Sequence, residues 1–141
     1  MGLGCFAEVD ERLKSILVMV TDKPEHIPND DVGYWNEPKT GNRFVAVLDV
    51  GNPDYSLLVA VHEMIEQHLC MKHGVTAQAV TLWDAAWDRR DGQPGDHPDA
   101  PYHREHAAAT KVERALAEVL VVNWDEYEHA LEAGPYVSMS E

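Results

Sequence analysis

Residues 57 to 73 read LLVAVHEMIEQHLCMKH, and the fold turns on whether this run is helix or strand. At ~100° per residue, Leu57, Leu58, Ala60, Val61, Met64, Ile65 and Leu69 form one broad apolar side. His62, Glu63, Glu66 and Gln67 gather opposite. Gly51-Asn52-Pro53-Asp54 supplies a start signal and Gly74 a stop, so a helix is predicted from about Asp54 to His73.

Upstream, ILVMVT at 16–21 reads as a buried strand, and the Pro- and Asp-rich residues 24–33 as a loop. Tyr34-Trp35 and residues 43–50, RFVAVLDV, pair as a hairpin turning through Glu37 to Asn42. Downstream, a second helix is predicted over 76–90, a loop over 90–101 (RDGQPGDHPDAP), and a third helix from Pro101 to about Val122. A short fourth runs from Asp125 to Ala133, stopped by Gly134-Pro135. Strands before helices predict an α+β fold: a short N-terminal sheet of two to three strands packed on three to four helices, in one domain over 1–141.

The chain has 141 residues, with 25 Asp plus Glu against 11 Lys plus Arg, a formal charge of −14. A hydrophobic fraction of 45% suffices for a core. The charge argues against nucleic-acid and anionic-membrane partners, both of which are bound through Lys and Arg. No apolar run reaches the ~18–20 residues that span a bilayer. The opening MGLGCFAEVDERLK lacks a secretory pattern, and Phe6 stands where myristoylation wants Ser or Thr. Cys5 and Cys70 are too few for a disulfide framework or a thiolate zinc site. A cytoplasmic protein is therefore expected, with oligomeric state left open.

Six of the eight histidines lie between His62 and His106. His62 and Glu66, one helical turn apart, can converge on one divalent ion, and Glu63 stands beside that point. In H-E-x-x-H metallopeptidases the Glu after the first His is a general base. Here the second His position holds Glu66. His68 points away around the wheel and His73 is ~16 Å along the axis from His62, so a third ligand must come from elsewhere. DHPDAPYHREH at 96–106 offers it. His106 is preferred, with Glu105 as the alternative, either as ligand or as a partner holding a ligating His. Glu105 aligns with an apolar stripe of Ala109, Val112, Leu116 and Val119, whereas His106 sits at its edge.

Each of these residues also has an ordinary reading. A His/Glu stripe on an amphipathic helix is commonly its solvated face. His26, His68, His73 and His129 read as surface residues, and Trp83, Trp87 and Trp124 as packing. Asp84 and Asp88 read as exposed carboxylates. Glu126 to His129 repeats the E-x-x-H spacing of di-iron bundles, but on a helix too short for one.

The motif order resembles small, largely uncharacterised proteins encoded by bacteriophages and prophages. Its elements are VAVHEMIEQHLC at 59–70, DHPDAPYHREH at 96–106 and ATKVERALAEVLVVNWDEY at 109–127. The resemblance covers roughly residues 55 to 130. It implies a shared site at His62, Glu63, Glu66, Tyr102, Glu105 and His106, and it implies no activity. Similarity to zincin metallopeptidases is more distant and confined to the His-Glu helix.

On these readings the chain is expected to be a metal-dependent hydrolase, or a protein descended from one. His62, Glu66 and His106 would hold zinc or another divalent metal, Glu63 would be the general base, and His103 an acid or oxyanion stabiliser. The substrate, a small molecule or peptide, is not specified. The rival is a non-catalytic acidic phage protein that binds a host protein or imitates nucleic acid, with at most a structural ion.

Overall fold

The computed structural model describes residues 14–36, 42–88 and 91–134. Strands β1 (Ser15–Thr21), β2 (Gly33–Trp35) and β3 (Asn42–Leu48) form one sheet in the order β1-β3-β2. Helices α1 (Pro53–His73), α2 (Ala77–Ala86), α3 (His103–Val119) and α4 (Trp124–Ala133) follow. The fold is α+β. β2 runs antiparallel to β3, as expected of a hairpin, and Trp35 faces Val45 across the pair. The turn predicted over Glu37 to Asn42 lies almost wholly outside the described residues, as do Cys5 and the N-terminal leader reading.

β1 pairs parallel to β3 at the sheet edge and differs from its prediction. Ile16, Leu17 and Val20 are 52, 59 and 49% exposed, so this strand is not buried. An apolar run reports strand propensity, but burial depends on what covers the sheet. Here α1 packs on β2 and β3. The segment 24–33 also departs from a plain loop, with short 3-10 turns at Pro24–His26 and Pro28–Asp30.

Asn52 caps α1 by accepting from the Asp54 and Tyr55 amides, Pro53 opens its first turn, and Gly74 closes it at φ 77°. Both sides of α1 are covered. Leu58, Val59, Ala60 and Cys70 join Val45, Val47 and Tyr127 in the core. Burying a side chain such as Leu58 is worth about 1.5–3 kcal/mol. Gln67 is also fully buried and donates to Asn36 O at 2.9 Å, which ties the helix to the hairpin.

Helices α2 and α3 are shorter than predicted, whereas α4 keeps its predicted span to within a residue. α2 stops at Ala86 because Trp87 turns extended (φ −79°, ψ 139°) and its indole donates to Gly92 O. α3 starts at His103, since Ala100 and His103 use their amides in turns to His97 O and Ala100 O. It ends at Val119, and Val121 beyond it adopts a left-handed φ of 57°. The buried stripe of α3 keeps Glu105 and Ala109 of the predicted one but not Val112 or Val119. Val112 and Val119 are 41 and 76% exposed, whereas Glu105, His106, Ala109, Glu113 and Ala117 are buried. Alanines at 109 and 117 give α3 a thin face that lets it lie close against α1. That approach brings polar residues of two helices together. No helix among the described residues is long and apolar enough to cross a membrane.

Candidate metal centre

α1 presents His62 and Glu66 towards α3, and α3 returns His106. All three are at least nine-tenths buried. His62 Nε2 and His106 Nδ1 lie 3.1 and 3.0 Å from the same oxygen, Glu66 Oε2. One potential ligand atom from each residue falls within 4.8 Å of the other two. The cluster could hold a metal ion, and the solvated-face reading of the α1 stripe does not apply to it.

The outer contacts test that fit. His62 turns its other nitrogen, Nδ1, to Glu113 Oε1 at 2.7 Å. His106 turns Nε2 to Asp96 Oδ1 at 3.1 Å. Glu66 Oε1 accepts from the Trp35 indole N–H at 2.9 Å. Each converging atom is thus backed by a partner on the far side of its own side chain. Metal-binding histidines are held in this way, the outer carboxylate fixing the tautomer and raising ligand basicity. Glu113 is held in turn by the Tyr127 hydroxyl, which donates to Oε2 at 2.5 Å.

The segment over His106 is fitted closely. Trp83 and Trp87 stack and donate their indole N–H groups to Pro94 O and Gly92 O. This pins residues 92–96 against the site. A Cβ on Gly95 would sit 2.5 Å from His106 Cγ, so this position has room only for hydrogen. Trp83 and Trp87 pack, as expected, and what they pack is the wall that carries Asp96.

The electrostatics follow from burial and pairing. Burial pulls the His62 imidazole down, but hydrogen bonds to Glu113 and Glu66 outweigh it and leave the pKa well above the usual value. Burial pushes the Glu66 carboxyl up, yet hydrogen bonds from His106 and His62 hold it at about 2. Glu63 is raised well above its usual value, by burial first and then by the charge of Glu66. Burial, then Asp84 and Glu113 respectively, raise Tyr102 and Tyr127, so both phenols remain donors.

Glu63 places Oε2 3.9 Å from His62 Nε2 and makes no hydrogen bond with the described residues. It lines a cavity of about 630 Å³ together with His62, Glu66, His106, Glu113 and Tyr102. Glu105 is not in the cluster: it is buried on the other side of α3, 2.5 Å from His73 Nδ1. His73 is exposed, as expected, and is its partner. His103 does not line the cavity, because its Nδ1 lies 3.0 Å from Gly95 O and tethers that segment from behind. Asp84, expected as exposed, is half-buried, lines the cavity and accepts from the Tyr102 hydroxyl.

Trp35, Asp96, Glu113 and Tyr127 were not predicted as site residues. Glu113 had a signal, since it lies seven residues after His106 and so on the same helical face. Trp35 and Tyr127 had none, because their roles depend on how the sheet and α4 dock. Comparison with protein-family models, curated proteins and solved structures gives no match.

Proposed function

We propose that the protein is a metal-dependent hydrolase in which His62, Glu66 and His106 bind one divalent cation, zinc in the first instance, and Glu63 is the general base. The supporting observation is the pair of outer carboxylates. Glu113 and Asp96 back the far nitrogens of the two histidines while the near nitrogens meet at Glu66 Oε2. A divalent ion in such a site acidifies water and polarises a substrate oxygen. Glu63, largely but not fully covered beside that point and without a hydrogen bond to the described residues, would take the proton of the attacking water and return it to the leaving group. His62 and His106 are kept in one orientation by their outer partners, so the ligand set is organised before an ion arrives. The open cavity in front of the cluster favours catalysis over a closed structural site. The compartment we propose for this activity is a bacterial host cytoplasm, a reading supported by the resemblance to phage-encoded proteins.

Metal analysis of protein purified without a His tag tests the reading. One equivalent of metal is expected, lost in His62→Ala and Glu66→Ala. Glu63→Gln is expected to retain the metal and lose turnover of amide or ester substrates. Protein that takes up no zinc on titration would overturn the proposal.

A further inference from the structure

At β1 the sheet outruns its cover. Val45 and Val47 of β3 belong to the core beneath α1, and Ala46 and Leu48 to a second cluster with Ile27. Alternate residues of a strand face opposite ways, so β3 is covered on both sides. β1 runs beside it in unbroken register, Val18 next to Val45 and Met19 next to Ala46, but the cover stops one strand short. Ile16, Leu17, Val18, Met19 and Val20 are all exposed, five of the eleven large hydrophobic side chains exposed among the described residues. The exposed apolar surface is thus concentrated on this strand. Apolar residues on both faces are the pattern of a strand inside a sheet.

The rim is also unprotected. Edge strands are ordinarily kept from pairing by a proline, an inward charge, a bulge or shortness. SILVMVT has seven residues and none of these devices. Among the described residues no strand lies on its outer side, which leaves a row of backbone N–H and C=O groups to pair.

We infer that a second copy of this chain occupies this edge, the two β1 strands pairing antiparallel about a two-fold axis at Val18. Charge at the strand ends selects that partner and that register. Lys14 precedes the strand and Asp22 follows it, both exposed, and no charged residue lies between them. Directly opposed residues share a face of the sheet, so a two-fold normal to the sheet passes between equivalent residues of the two copies. With the axis at Val18, Lys14 of each copy faces Asp22 of the other, Ile16 faces Val20 and Leu17 faces Met19. An axis at Leu17 or Met19 loses both ion pairs and shortens the overlap. The pairing covers apolar side chains on both faces and joins two three-stranded sheets into one of six. It is isologous, so it closes at two copies. A single strand pair is smaller than a standard interface of about 1,200–2,000 Å², which sets the expected strength at micromolar rather than nanomolar.

Sedimentation velocity of the full chain in reductant, from about 1 to 300 µM, reads the assembly. A monomer–dimer equilibrium is expected, with amide hydrogen exchange across Ser15–Thr21 slowing as the dimer fills. Val18→Lys sets like charges opposite each other at the axis and should leave a monomer throughout. Lys14→Asp and Asp22→Lys should each weaken the dimer about tenfold, since each puts like charges at both ends. An equimolar mixture of those two variants should recover the parent affinity, because opposite charges then meet at both ends. Both positions are exposed and outside the strand, so the mixing experiment stands even where Val18→Lys fails to fold. A parent that stays monomeric at every concentration overturns the inference, as does growth beyond the dimer. So does a dimer unmoved by Val18→Lys, or a mixture that associates no better than its components. The readout is assembly rather than turnover, so it is independent of the hydrolase proposal.

Discussion

Glu113→Gln separates a metal centre from a buried hydrogen-bond cluster. Glu113 touches no candidate donor atom; it acts through His62 Nδ1 at 2.7 Å. Glutamine has the same shape and can still accept one hydrogen bond there, but it carries no charge. If His62 Nε2 is a ligand, losing that carboxylate makes the imidazole less basic. Outer partners of this type are worth about 10–100-fold in metal affinity, or about 1.4–2.7 kcal/mol. A second effect works against the first. Glu113 also helps hold a proton on His62, so the substitution weakens proton competition for the ligand. The deficit in zinc affinity should therefore widen as pH rises towards the range in which His62 loses its proton in both proteins. Competition with a chromophoric chelator measures this directly. In the metal-free state the variant exchanges a hydrogen bond between charged groups for one to a neutral acceptor, a loss of about 1 kcal/mol by urea denaturation. Tyr127→Phe is a milder control, since it leaves the carboxylate on Glu113 and removes only its hydroxyl donor. Zinc affinity of Glu113→Gln within about twofold of the parent at every pH would refute the outer-partner argument.

Zinc binding at neutral pH should release about one proton from the cluster. His62 has a raised pKa, so in the metal-free protein it is an imidazolium, and its stabilising contribution is present below its usual 6.5 and lost as pH rises through the raised value. Calorimetry in buffers of different ionisation enthalpy reads the proton, and zero release would show that His62 is not displaced. Gly95→Ala should cost about 1–3 kcal/mol and weaken zinc binding, because its Cβ would meet His106 Cγ at 2.5 Å; unchanged denaturation and affinity would contradict the tight fit. Val121→Gly should stabilise the protein by about 0.5–1 kcal/mol, since a left-handed β-branched residue is relieved. A loss of stability on urea titration would argue against that strain.

The His62–Glu66 pair was legible because it depends on one helix only, and helical spacing fixes which side chains share a face. The third ligand needed a second helix. The choice of His106 over Glu105 depended on which face of α3 turns inward, and there the sequence misleads. Val112 and Val119 look like core, but Ala109 and Ala117 form the contact because their small size lets the helices approach. Once that face is known, Glu113 follows at seven residues from His106. The Trp35 contact joins positions 31 residues apart through the docking of β2 on α1, and no local pattern encodes such a distance. β1 failed for a similar reason: ILVMVT specifies an extended strand, whereas its exposure depends on how far the helices reach across the sheet.

The Trp35 contact has a practical consequence. Its indole is 3% exposed and donates to Glu66 Oε1, while the other oxygen of that carboxylate faces the two histidines. Any cation drawing charge from Glu66 changes the field along the indole N–H, and with it the emission of that chromophore. Of the four tryptophans, Trp83 and Trp87 stack on each other and Trp124 lies under Arg114. The sheet would thus carry an optical reporter of any ion taken up by the cluster, one that needs no label.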